Sequence, residues 1–195
     1  MTDITRPDRV RELLGALSQQ LAARGQHYEL VIVGGSALLA QGLVERTTQD
    51  VDVVALRQAG SLNKADPFPP QLIDARNRVA GDFGLPESWL NPGPADLMDF
   101  GLPEGFLQRV KTWDFGASLT VHFASRLDQI HLKLYALVDQ GTGKHERDLH
   151  TLAPSPEELI QAARWTRTHD PSSGFREMLE RALHYFGVDD ADLGP

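Results

Sequence analysis

"VIVGGSALLAQGLVERTTQDVDVV" (residues 31–54) is the stretch that decides the fold. It completes "YELVIV", a short, β-branched, apolar run of the kind that forms a buried strand. Gly34, Gly35 and Ser36 break that run, and "SALLAQGLV" then reads as a short helix with Ser36 as its N-cap. "QDVDVVAL" follows as a second strand. Side chains alternate along a strand, so Asp50 and Asp52 share one face while Val51 and Val53 share the other.

Two carboxylates side by side repel. At about 4 Å the cost is roughly 1 kcal/mol in water and about 4 kcal/mol at a surface-like dielectric. A divalent cation reverses the sign, and Mg²⁺ is held by one or two carboxylates together with substrate phosphates. Asp50 and Asp52 therefore read as half of a magnesium site. The Gly-Gly-Ser turn supplies the other half. Gly34 and Gly35 let a phosphate approach the backbone, the helix that follows offers free N–H groups, and Ser36 adds a hydroxyl. A metal site beside a triphosphate cradle points to phosphoryl or nucleotidyl transfer. Neither GxxxxGK[ST] nor GxGxxG occurs, so the P-loop and the dinucleotide fingerprint do not apply.

Before this stretch, "TRPDRVRELLGALSQQLAARG" spaces Val10, Leu13, Leu14, Leu17 and Leu21 as one face of a helix, with Pro7 at its entry and Gly25 as its stop. After it, the pattern loosens from residue 57 to 116, apart from a moderate helix in "PQLIDARNRVAGDFG". "ASLTVHFAS" alternates as a third strand, and "SRLDQIHLKLYALVDQG" is a strong helix striped by Leu127, Ile130, Leu134, Leu137 and Val138. Two helices close the chain, one opened by a Ser155–Glu158 capping box and one running from Ser173 to a stop at Gly187. Early interleaving with a helical tail predicts an α/β (α+β) fold: a small mixed sheet flanked by helices, with a helical C-terminal part.

The totals narrow the function. The 195 residues carry a net charge of −8, against a protein that coats nucleic acid, though not against a local basic pocket. There is no cysteine, which removes disulfides, thiolate zinc sites and a cysteine nucleophile. The polar N-terminus and the lack of a long apolar run predict a cytoplasmic chain that does not enter a membrane.

The residues around the two aspartates resemble the DNA polymerase β-like nucleotidyltransferase superfamily, in which Gly-Ser on a turn precedes Asp-x-Asp on the next strand. Their details are similar to the DUF6036 family and to the AbiEii/MenT-like toxin group, whose R-x-T/S-x-D-x-D pattern is matched by Arg46, Thr48, Asp50 and Asp52. Those families also carry a K-L-x-A helix and then an Arg-Asp pair, here Lys133, Ala136, Arg147 and Asp148; "LPESWLN" resembles a DUF6036 segment. The resemblance covers residues 28–152. It implies a nucleotidyltransferase-like domain over 1–152, with 153–195 as a helical extension packed on it.

The resemblance further implies a Mg²⁺-dependent transfer of a nucleoside monophosphate from an NTP to an acceptor hydroxyl on tRNA, a protein or a small molecule. Asp50 and Asp52 would hold the metal; Gly34, Gly35, Ser36, Arg46 and Thr48 would contact the nucleotide. Lys133 would neutralise charge, and Asp148 would assist deprotonation of the acceptor. The implied setting is the toxin of a toxin–antitoxin pair, with a cognate antitoxin as partner. Lys133 also fits a snorkelling lysine, and Arg147 and Asp148 fit ordinary surface pairing. The third carboxylate of the polymerising relatives is missing, with His122 in its place on the third strand. That departure keeps a rival alive, a catalytically silent protein of this fold that binds nucleotide or a partner.

Overall fold

The structure is a computed structural model that describes residue 4 and residues 6–194. The chain forms two compact units, Met1–Ala124 and Ser125–Pro195.

The first unit is built on a six-stranded mixed sheet. Helix α1 (Pro7–Ala22) opens it with Pro7 in its first turn and buries Val10, Leu13, Leu14, Leu17 and Leu21, the stripe expected from the spacing. Strand β1 (Tyr28–Val33) leads into α2 (Gly34–Ala40), and β2 (Val51–Gln58) returns antiparallel to β1. Ala59 and Gly60, both at positive φ, make a two-residue turn into β3 (Ser61–Lys64). Helix α3 (Pro70–Phe83) ends on Gly84 in the left-handed conformation. A two-residue strand, β4 (Leu90–Asn91), then pairs parallel with the start of β2. Helix α4 (Phe106–Arg109), β5 (Lys111–Asp114) and β6 (Leu119–Phe123) complete the unit, in the sheet order β3-β2-β1-β6-β5.

One face of this sheet is apolar. Trp113 on β5 packs edge-on against Phe123 at 4.7 Å between ring centroids, and Arg11 of α1 lies 4.1 Å over the Trp113 ring. The other face is polar, carrying Glu29 opposite both Arg57 and Thr120, with His122 opposite Val31. Asp52 reaches the polar face through an irregularity. Val31 pairs with Ala55 but Ile32 pairs with Val53, so β2 has one extra residue, Val54. Unbroken alternation from Arg57 would turn Val53 and Val51 toward the polar face and Asp52 toward the core. The bulge reverses the order: Asp52 falls opposite Val33, in the row of Glu29 and Val31.

The second unit is helical. Helix α5 (Arg126–Gln140) is capped by Ser125, whose hydroxyl accepts from Asp128 N and donates to Asp128 Oδ2 at 2.6 Å. Every residue from Asp128 to Leu134 is buried, so α5 is covered on all sides over those two turns. Helix α6 (Lys144–Leu152) follows, then α7 (Pro156–Arg167), which opens with the expected Ser155–Glu158 capping box, then α8 (Ser173–Tyr185). Arg126 ties these pieces together. Its guanidinium donates to the Leu152 and Ala153 carbonyls at the end of α6 and pairs with Glu158 at 2.6 Å. The sequence-based domain boundary at 152/153 falls between α6 and α7. The fold class is as expected, a mixed sheet with helices and a helical C-terminal region.

Candidate active site

Two sequence expectations are corrected here. Helix α2 begins at Gly34, with Val33 as its N-cap and no side-chain cap, because Gly34 at φ +74° makes the turn out of β1. Ser36 therefore lies inside the helix and is not its N-cap. Its side chain is fully buried, and its Oγ has no hydrogen-bond partner among the described residues. The second correction concerns Asp50, which precedes β2 by one residue, so only Asp52 lies on the strand itself.

The site gathers around the two glycines. A Cβ at Gly34 would lie 2.5 Å from Asp52 Oδ2, closer than any real Cβ contact. A Cβ at Gly35 would lie 2.9 Å from Thr48 Oγ1 and 3.2 Å from both terminal nitrogens of Arg46. The turn thus has an acid against one glycine and a guanidinium and a hydroxyl against the next. Thr48 is buried and pinned by a two-way backbone bridge to Ile4, at 2.8 and 3.0 Å. Its hydroxyl donates to the Asp50 carbonyl at 3.3 Å, with Asp50 Oδ1 at 3.5 Å. Asp50 and Gly35 are thereby neighbours of one side chain.

Gly34 lies beside Asp52, and Gly35 beside Thr48 and Arg46, with Thr48 bonded to Asp50. The donor set fits Mg²⁺, since two carboxylates beside a side-chain-free backbone leave the remaining positions to phosphate oxygens and water. Among the described residues, no group of three or more His, Asp or Glu side chains is placed to hold a metal ion.

His122 is committed elsewhere. It is 4% exposed; its Nε2 donates to Glu29 Oε2 at 3.0 Å and its Nδ1 meets the Thr112 hydroxyl at 2.9 Å. The His122 hydrogen bond, assisted by the Arg57 guanidinium at 3.2 Å, holds the Glu29 carboxyl below the usual carboxylate range. Both ring nitrogens serve the sheet's polar face.

In the second unit Lys133 and Asp148 pair with each other, Nζ to Oδ2 at 2.8 Å, with side chains only 5% and 1% exposed. Lys133 does not snorkel, and Asp148 is no surface group. Arg147, by contrast, is exposed. The pattern could not reveal this pair, because the two residues come from different helices.

Residues 8–150 match the family described as nucleotidyltransferase of unknown function (DUF6036). The chain belongs to that family. No curated protein and no solved structure shows significant similarity to it. In this DUF6036 protein, no helix among the described residues is long and apolar enough to cross a membrane.

Sequence reasoning passed over Asn91. It pairs with Asp52 across β2 and β4, and "LPESWLN" was the signal that could have marked it.

Gly34→Ala should be damaging out of proportion to its size. The residue sits at positive φ, which costs a residue with a Cβ about 1–2 kcal/mol, and the new methyl must displace Asp52. Gly15→Ala in α1 has nothing within 4 Å of its Cβ and should instead stabilise by about 0.5–1 kcal/mol. Denaturant unfolding of the two variants should shift in opposite directions.

Proposed function

We propose that this protein transfers a nucleoside monophosphate from an NTP to an acceptor hydroxyl, using Mg²⁺ held by Asp50 and Asp52. The observation that carries the reading is Asp52 Oδ2 occupying the space a Cβ on Gly34 would need, with Arg46 and Thr48 likewise placed over Gly35. One small surface offers acids for a metal and donors for phosphate. When bound, the metal supplies charge neutralisation for the triphosphate and the departing pyrophosphate.

The chain's own groups do the rest. Arg46 presents a planar fork of donors suited to phosphate oxygens, and Thr48 holds Asp50 in place. Ser36 Oγ, buried with no partner among the described residues, is a spare donor at the start of α2. The acceptor oxygen attacks the α-phosphorus, the bond from that phosphorus to the bridging oxygen breaks, and pyrophosphate leaves with the electron pair. On the resemblance, Lys133 is the neutralising cation and Asp148 takes the acceptor's proton. The acceptor class is tRNA, a protein or a small molecule, and the biological setting is a toxin with a cognate antitoxin.

A second reading, nucleotide binding without transfer, is favoured by the set of two acids instead of three. Incubation with Mg²⁺, each labelled NTP, total tRNA and lysate separates the readings. Pyrophosphate release with label on an acceptor is the expected result. Saturable NTP binding with no pyrophosphate would establish the silent reading instead.

A further inference from the structure

The two-residue strand β4 has no stabilising length of its own, yet three features fix it in place. Trp89, fully buried, donates from Nε1 to the Arg76 carbonyl at 3.1 Å. Leu90 is fully buried opposite Val51, on the core side. Asn91 then falls directly opposite Asp52. Residues paired in a sheet share a face, so Asn91 stands beside Asp52 on the half-exposed side, with Val33 flanking Asp52 across the other edge of β2.

The orientation of the Asn91 amide is decided by its neighbour. Gly93 N donates to Asn91 Oδ1 at 2.8 Å, so the oxygen must occupy that position. Gly93 also leaves room for it, since a Cβ there would lie 2.7 Å from Oδ1. That hydrogen bond fixes the oxygen's position. What remains is the NH₂ group, which among the described residues makes one long hydrogen bond, 3.5 Å, to the Ser88 carbonyl. An amide carries two N–H donors, so at least one is left over on a side chain that shares its sheet row with Asp52.

We propose that Asn91 is a nucleotide-binding residue of the Asp50–Asp52 site, its amide N–H donating to an oxygen of the bound NTP. This rests on the nucleotidyl-transfer reading of that site. The placement suits a neutral donor: an N–H beside two carboxylates cannot compete for the cation, as a lysine would, and adds no repulsion, as a third acid would. The acceptor it recognises is a phosphate oxygen or a ribose hydroxyl of the same nucleotide.

The test compares three variants of the full chain by NTP titration at saturating Mg²⁺, where any gain in metal affinity from an added carboxylate cancels. Asn91→Asp keeps the acceptor for Gly93 N–H and removes the donor, with an added charge that Asn91→Ala does not carry. Asn91→Ala removes both, and Gly93→Ala pushes the amide out of position. All three should weaken NTP binding about tenfold or more, the usual loss for a hydrogen bond to a charged group. Inorganic tripolyphosphate serves as the second probe. An equal loss there assigns the contact to phosphate; a loss confined to NTP, with a 2′,3′-dideoxy-NTP already weak on the wild type, assigns it to ribose. If Asn91→Asp binds like the wild type, whatever Asn91→Ala does, the residue only holds the turn and the inference is overturned. A wild-type chain that binds no NTP overturns the transfer reading and this inference together.

Discussion

Asp52→Asn should abolish nucleotide transfer while leaving the protein as stable as the wild type or slightly more so. The two effects have one origin. In the metal-free protein Asp50 and Asp52 are two residues apart, and their mutual repulsion is relieved when one becomes a neutral amide of the same shape. With Mg²⁺ and NTP present, that same charge is what the cation needs. Loss of a metal ligand removes several kcal/mol of stabilisation from the transferring phosphate, so the rate should fall by about 10²–10⁴-fold. The fit at Gly34 makes the substitution clean, because asparagine occupies the same volume against a backbone that has no Cβ to spare. Denaturant midpoints and pyrophosphate release should therefore move independently. A transfer-competent Asp52→Asn protein would remove the metal role, and a collapse in stability would show that the carboxylate is structural. Neither outcome is compatible with a catalytic acid beside an open turn.

The elements that could be read from sequence are those whose signal is local. Helix α1 announces its buried face through the spacing of Val10, Leu13, Leu14, Leu17 and Leu21, and α7 announces its start through Ser155 and Glu158. Strands β3, β4 and β5 escaped because runs of two to four residues are too short to show a period. Helix α6 escaped because only Leu149, Leu152 and the aliphatic part of its buried face mark it among charged residues.

The candidate site divides in the same way. Gly34, Gly35, Ser36, Arg46, Thr48, Asp50 and Asp52 form a sequence pattern, and the structure sets Gly34 beside Asp52 and Gly35 beside Arg46 and Thr48. Three facts around them depend on tertiary or local backbone geometry and could not be read. The bulge at Val54 that turns Asp52 to the polar face is a property of two strands in register. The burial of Ser36 depends on where α2 starts, and a positive φ at Gly34 moved that start two residues upstream of the expected cap. Asn91 is near Asp52 only because β4 pairs with β2.

Lys133→Ala should cost the protein about 3–5 kcal/mol of unfolding free energy, the usual loss when one partner of a buried ion pair is removed. The variant takes from Asp148, only 1% exposed, the ammonium paired with it at 2.8 Å. Lys111→Ala is the matched control: Lys111 is exposed on β5, and its removal should change stability by no more than about 0.5 kcal/mol. The decisive variant removes both charges. Replacing a buried pair by apolar residues of similar size is often neutral or stabilising, so Lys133→Met with Asp148→Leu should recover most of the loss. If the double variant is as unstable as Lys133→Ala, the pair is not what holds these helices, and other partners of the two side chains carry the effect. Stability recovered in this way makes the catalytic question answerable. Lys133→Ala alone would lose activity through unfolding whatever the lysine does. A folded double variant that still releases pyrophosphate at the wild-type rate would return both residues to a packing role. One that is folded but inactive places Lys133 and Asp148 in the transfer chemistry, as the resemblance implies.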